Sequence, residues 1–344
     1  MTTTFSSLPV VELGSLGSPS TTQEDLGRLG HQLYDAFATT GFAYLTNAPL
    51  SFTHEDVFQL AKEFFQMSQE EKMRLAKNTF VRANSNTYRG YFPPQPGQKD
   101  NLKEGFEVGS GRAPASKAGR RGVKFDLSEG NVWPAESAFQ DGRARLEKLY
   151  SELQDLSSIL LSLLAVELSK PADFFASYLE GSISTLRLLH YPPQPDDQDD
   201  KVKLCCTPHT DSGILTLLHQ DQTGGLEVQN AAGDWVPAPY IPGSIIVNIG
   251  DLLSQVSGGR LVATMHRVRT SSGYGANGDG MGRFSVPFFF EPGEACLVRS
   301  VDGREAAVYG EHVRRKMGTW VEFQDVVAVS SDTATQPGIA VEAY

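Results

Sequence analysis

Cysteine is scarce: only Cys205, Cys206 and Cys296 occur in 344 residues, and two of them are adjacent. An odd count at that spacing supports neither a disulfide framework nor a structural zinc site, which points to a reducing, cytoplasmic setting. Positive charge is also in deficit, with 30 Lys and Arg against 41 Asp and Glu and a net charge of −11. Such a surface repels phosphate backbones and anionic lipid, so neither nucleic acid nor a membrane is an expected partner. The basic "GRRGVK" (119–124) and the acidic "DDQDD" (196–200) read as solvated loops. There is no charged start followed by an apolar run, and no apolar stretch is expected to span a membrane. Phosphate-binding order is missing too. "TGGLEV", "PGSIIVNIGDLL" and the glycine-rich 271–282 lack a strand, a loop and a helix with Lys or spaced glycines, and read as turns and strand. What remains is an ordinary folded globule, and a monomer is compatible with this reading.

What is present is 40% hydrophobic residues, enough for a large core, arranged in two textures. The N-terminal half reads as helical. Thr21 and Glu24 have capping-box spacing ahead of Leu26, Leu29, Leu33 and Phe37 on one helical face. "FAYLTN" follows as a strand, a second helix starts at Thr53, and Ser68 and Glu71 repeat the capping spacing. "YRGYFPPQPG" and "KEGFEVG" are ordered-looking parts of a loop-rich stretch. A long helix is predicted over 136–169, with leucines from Leu146 to Leu163 at helical spacing and Pro171 beyond its end. From Ile183 onward short β-rich segments alternate with Gly, Pro, Asp and Asn, which predicts an antiparallel jelly roll. A last helix is expected over 304–317. The division is an N-terminal helical and loop region packed on the core (1–135), buttressing helices (136–182), a jelly-roll catalytic core (183–325) and a tail (326–344), acting as one catalytic unit.

The chemistry concentrates in "CCTPHTDSGILTLLHQ" (205–220). On a strand, His209 and Asp211 share one face, and His266 of "ATMHRVRT" supplies a third donor from another strand. Two histidines and one carboxylate suit Fe(II), leaving one octahedral face open; zinc with the same ligands would make a hydrolase. A His-x-Asp pair alone is also common in cores. In "GRFSVPFFF", Arg283 and Ser285 repeat the two-residue step and form a pair able to anchor a carboxylate. His31, His54, His190, His219, His312 and the two adjacent cysteines read as structural.

With His209, Asp211, His266, Arg283 and Ser285 in this order, the chain resembles the Fe(II)- and 2-oxoglutarate-dependent dioxygenases of the isopenicillin N synthase-like family. "LPVVELGSL", "GFAYLTN" and "AKEFFQMSQEEKMRLA" match its N-terminal region; "LRLLHYPP", "HTD", "GGLEV", "IVNIGDLL", "MHRV" and "RFSVPFFF" match its core. The resemblance implies a mainly β fold with flanking helices around a double-stranded β-helix, the distorted jelly roll. It implies iron on His209, Asp211 and His266, 2-oxoglutarate on Arg283 and Ser285 with Tyr191 assisting, and O2 as the oxidant. The implied activity is hydroxylation, desaturation or oxidative ring formation, with release of succinate and CO2, in secondary metabolism. Candidate substrate contacts are Tyr88, Arg89, Tyr91, Phe106, Arg187, Phe288 and Phe290, which read equally as core aromatics and solvated arginines. Alternatives are an iron oxidase of the same fold that uses no 2-oxoglutarate, the zinc hydrolase, and a jelly roll that binds ligand without catalysis.

Overall fold

The computed structural model describes residues 3–94, 103–111, 125–193, 204–269, 280–303 and 306–317. The loops at 119–124 and 196–200, most of 271–282 and the tail 326–344 lie outside the described residues. The larger sheet runs in the order β1 (Val10–Glu12), β2 (Phe42–Thr46), β10 (Ile245–Ile249), β7 (Leu215–Gln220), β12 (Arg283–Phe290), β5 (Thr185–Tyr191), β4 (Glu104–Val108) and β3 (Gly90–Phe92). The smaller runs β6 (Leu204–His209), β11 (His266–Arg269), β8 (Leu226–Gln229) and β9 (Trp235–Pro237). A ribbon of β13 (Leu297–Arg299) and β14 (Ala306–Val308) stands beside them.

Alternation along the strands builds two cores on the two faces of the large sheet. Its inner face gives Phe42, Tyr44, Ile246, Leu189 and Tyr191, which meet Cys205, Leu226, Val228 and Val268 of the small sheet. The outer face gives Leu186, Leu188, Leu215, Leu217, Val247, Phe284, Val286, Phe288 and Phe290 to a cluster shared with the helices. Each such side chain contributes about 1.5–3 kcal/mol by leaving water. The sheets thus form the expected double-stranded β-helix, with one core between them and a second between the large sheet and the helices. The N-terminal region is woven into it, since β1 to β4 all belong to the large sheet, with β3 and β4 in the two stretches that read as ordered.

The helices are α1 (Gln23–Thr39), α2 (His54–Phe65), α3 (Gln69–Arg74), α4 (Gly142–Glu167), α5 (Asp251–Val256) and α6 (Tyr309–Met317). Ser68 with Glu71 forms the capping box its spacing predicts, and the helix expected to start at Thr53 is capped by a further box of Thr53 with Asp56. The first box is Thr22 with Asp25, one residue later than expected, because the Thr21 hydroxyl donates to the Ser18 carbonyl at 2.9 Å and closes the preceding turn. α4 starts after the expected 136 because Asp141 is left-handed at φ 53° and the Phe139 ring folds over Gly142. By length and composition α4 is apolar enough to cross a membrane, contrary to the sequence expectation. In the fold its stripe Leu146, Leu149, Leu153, Leu156 and Leu160 is buried in the outer core. α6 begins at Tyr309, not 304, since Ala306–Val308 pairs with β13 as a strand.

Candidate metal centre and active site

His209 ends β6, His266 begins β11, and the two are direct partners across the pair, with ring centroids 4.2 Å apart. Asp211 reaches them by a route other than the expected one. β6 stops at His209, and Asp211 lies in the turn beyond it. That turn is fixed by backbone bonds: the Asp251 N–H donates to the Asp211 carbonyl at 2.7 Å and the Gly250 N–H to that of Ile214 at 3.0 Å. A Cβ on Gly250 would sit 2.2 Å from the Gly213 carbonyl, so the close approach requires glycine.

Asp211 Oδ1 lies 3.9 Å from His209 Nε2 and 3.8 Å from His266 Nε2. Its Oδ2 accepts from Thr216 Oγ1 at 2.6 Å and Asn248 Nδ2 at 2.8 Å. His209 Nδ1 donates to the Thr207 carbonyl at 2.8 Å and His266 Nδ1 to that of Thr264 at 3.1 Å. Each bond points Nε2 at the shared centre, bare at His266 and available at His209 once its proton is displaced. One atom from each residue falls within 4.8 Å of the others. Burial alone would raise the Asp211 carboxyl, but the two imidazoles and the bonds from Thr216 and Asn248 hold it below the usual carboxylate range. Burial, helped by His209, pushes His266 down to about 4, the neutral form that ligates. At His209 burial pushes down while the Cys206 sulfur and Asp211 push up more, to about 9, so a metal displaces a proton there. Two imidazoles, one carboxylate and fixed outer partners fit a facial-triad ion.

Arg283 pairs with Tyr191 across β12 and β5, and Ser285 follows two residues on along the same inner face. The Arg283 guanidinium, 1% exposed, lies 4.8 Å over the Tyr191 ring, and its Nε donates to the Gly224 carbonyl at 2.6 Å. Burial raises the Tyr191 hydroxyl and keeps it a donor. A buried cation, a hydroxyl and a phenol on one face suit the far carboxylate of a dicarboxylic acid.

The substrate candidates divide. Along the inner face one register row runs Asn248, Thr216, Phe289 and Thr185, so it leads directly from the donors that hold Asp211. Arg187 stands one step along this face, ion-paired with Glu107, its guanidinium 5.1 Å from the Phe289 ring centroid and 5.7 Å from that of Phe92. Lys77 Nζ lies 2.5 Å from the other Glu107 oxygen. Phe288 and Phe290 are on the opposite, helix-facing side, with Phe288 edge-on to Tyr150 at 5.2 Å. Their parity differs from that of Arg283 and Ser285, and Phe289 is the residue the two-residue step selects. Phe106 stacks on Phe64 of α2 at 4.3 Å, and the Tyr91 hydroxyl donates to Glu104 at 2.5 Å, so both pack the outer core. Arg89 donates to Thr185 and, at 2.9 Å, to the Ile183 carbonyl while lying over the buried Tyr88 ring. Of the seven, Arg187 springs from the inner face one step from the row that supports Asp211, while Tyr88 and Arg89 reach the far end of that row at Thr185.

His190 is structural, held by Glu104 at 2.7 Å and stacked on Phe284. His219 and His54 pack against each other, and burial pushes His219 down to about 3. Cys205 belongs to the inner core, while Cys206 places its sulfur 3.8 Å from His209 Nδ1. Sequence reasoning missed Thr216, Asn248, Phe289 and Glu107. The signal for Asn248 was a polar residue inside "IIVNI", since such a group is buried only with partners.

A double-stranded β-helix with two histidines and an aspartate converging inside it defines a non-haem iron oxygenase. Two family models match this chain: the 2OG-Fe(II) oxygenase superfamily over residues 182–292, and the non-haem dioxygenase in morphine synthesis N-terminal over residues 8–136. Homoarginine-6-hydroxylase 2-ODD-233 of Oryza sativa subsp. japonica is 31% identical, over 92% of this chain and 98% of its own. The 2-oxoglutarate-Fe(II) type oxidoreductase hxnY of Emericella nidulans is 34% identical, over 70% of this chain and 67% of its own. Among solved structures, a 2OG-Fe(II) oxygenase family protein from Caulobacter crescentus shares the fold, with TM-score 0.75 and 27% identity over 92% of this chain and 100% of that one. The chain belongs to the 2OG-Fe(II) oxygenase superfamily. It is an Fe(II)- and 2-oxoglutarate-dependent oxidoreductase that oxidises a small molecule.

Proposed function

We propose that the enzyme hydroxylates a C–H bond of a small polar substrate, with His209, Asp211 and His266 as iron ligands and Arg283, Ser285 and Tyr191 seating 2-oxoglutarate. The observation that carries this reading is the divided Asp211 carboxylate, one oxygen toward the two Nε2 atoms and the other held by Thr216 and Asn248. The rice relative is a homoarginine hydroxylase, which supports hydroxylation of a polar molecule. The balance is R–H + O2 + 2-oxoglutarate → R–OH + succinate + CO2. Bound Fe(II) supplies the site where O2 is reduced at the expense of 2-oxoglutarate.

The protein's part is to bind, orient and exclude water. Arg283 and Ser285 take the far carboxylate of 2-oxoglutarate and set its direction, while Tyr191 donates a hydrogen bond beneath the guanidinium. Arg187 presents donors to the substrate, with the half-buried Phe289 as an apolar wall between them and the triad. Phe289 lies on the row that begins at Asp211's supports and Arg187 one step beside it, so a substrate held there presents its C–H bond to the metal face.

Incubation with Fe(II), 2-oxoglutarate and panels of small polar molecules, followed by mass spectrometry, tests this. Expected is a product heavier by one oxygen, succinate in equal amount, loss of both in His209→Ala and a raised substrate KM in Arg187→Ala. Product formation without 2-oxoglutarate, or unchanged turnover in His209→Ala, overturns it.

A further inference from the structure

The turn that carries Asp211 is held from the side by α6, the last helix among the described residues. Lys316, in the last turn of α6, ion-pairs with the Asp251 carboxylate and points its Nζ at the Thr210 carbonyl, 3.5 Å away. Asp251 opens α5, and its own N–H donates to the Asp211 carbonyl at 2.7 Å. Lys316 therefore bridges the residue before Asp211 and the residue whose backbone holds Asp211.

The first turn of α6 makes a second attachment. The Tyr309 hydroxyl donates to Glu291 Oε1 at 2.7 Å and is within hydrogen-bonding reach of Ser212, while His312 meets the Ser212 backbone. The Glu291 stem lies against Gly213, where a Cβ would be 3.1 Å from its Cγ. The residues on either side of Asp211, Thr210 and Ser212, are thus both touched by α6. No other described helix makes this pair of contacts. α5 reaches the turn through the N–H groups of Asp251 and Leu252, and Lys316 adds a charged link by way of the Asp251 carboxylate.

We propose that α6 is a positioning element of the metal centre and that Lys316 is its principal positioning residue. The proposal rests on the assignment of Asp211 as a metal ligand. Lys316 acts through the turn and touches neither metal nor substrate. Outer partners that orient a ligand change metal affinity by about 10- to 100-fold. With partners 31% and 27% exposed, the ion pair is still partly screened by solvent, so its loss should cost little in unfolding and appear mainly in metal affinity.

The test is Co(II) titration of metal-free full-length protein, followed by visible absorption, for wild type, Lys316→Met, Lys316→Arg, Asp251→Asn and Lys316→Met with Asp251→Asn. Lys316→Met is expected to bind Co(II) about tenfold more weakly, with altered Co(II) bands and an almost unchanged metal-free unfolding midpoint. Lys316→Arg is expected to recover most of the affinity, and the double variant to be no weaker than its weaker parent. Wild-type affinity and bands in Lys316→Met would overturn the positioning role, as would fully additive losses in the double variant. His209→Ala separates the two levels: if it binds Co(II) like wild type, the triad assignment itself fails, whereas its loss beside an unaffected Lys316→Met rejects only α6.

Discussion

The Thr216 hydroxyl donates to the Asp211 carboxylate at 2.6 Å, on the oxygen turned away from the two histidines. This bond selects which carboxylate oxygen faces the metal. Thr216→Val keeps the shape and removes the donor. Co(II) or Fe(II) affinity should fall about tenfold, with a stability loss of about 1–2 kcal/mol. Unchanged affinity by titration would show that Asn248 alone suffices.

Arg283→Met should raise KM for 2-oxoglutarate on the order of a hundredfold, because truncating a buried charged partner costs several kcal/mol of binding. Co(II) affinity should stay at the wild-type value, since the guanidinium is bonded to the Gly224 carbonyl and stacked on Tyr191, outside the triad. Steady-state kinetics against 2-oxoglutarate, paired with the titration, reads both.

Phe288 and Phe289 are neighbours with opposite assignments. Phe288→Ala opens a cavity against Tyr150 and should cost about 3–5 kcal/mol in chemical denaturation. Phe289→Ala removes a half-buried inner-face wall and should mainly alter substrate kinetics, with a much smaller unfolding change. The reverse pattern would exchange the two faces of β12.

Burial pushes the Glu291 carboxyl up from 4.5 to about 7, against the opposing bond from Tyr309 and the charges of Arg89 and Arg187. Between those values the folded protein holds a proton that the unfolded chain has released. Stability from this group is therefore present below pH 4.5 and is lost as pH rises to about 7, a change of about 3 kcal/mol. Glu291→Gln removes the titration. Its stability relative to wild type should rise by up to that amount between pH 4.5 and 8, measured by denaturant unfolding at each pH. A constant difference across the range would contradict the shift.

Local periodicity carried much of the fold. The helix start at Thr53, the capping box at Ser68, the leucine stripe of α4 and the β-rich second half are all properties of neighbouring residues, and they formed where the pattern indicated. The Arg283 and Ser285 pair followed from alternation within one strand. The same rule, applied two residues further, gives Phe289, so the choice of Phe288 and Phe290 was an error of parity and not of principle. Asp211 was located by residue type although the strand ends before it, because the turn returns its side chain to the histidines. Lys316 had no local signal. Its partners are 65 and 106 residues away in sequence, and only the packed fold brings them together.

β10 joins the register of β2, where Asn248 lies opposite Phe42. On the ribosome the early strand must wait for a neighbour made some two hundred residues later, on the order of 10–40 s at ordinary elongation rates. During that interval its edge is open to wrong partners, a hazard that a molecular chaperone would relieve. The docking that ends the wait also delivers Asn248 to Asp211. A nascent chain thus closes the β2 edge and secures the Asp211 carboxylate in one event, while the wall itself is finished only when β12 enters between β7 and β5.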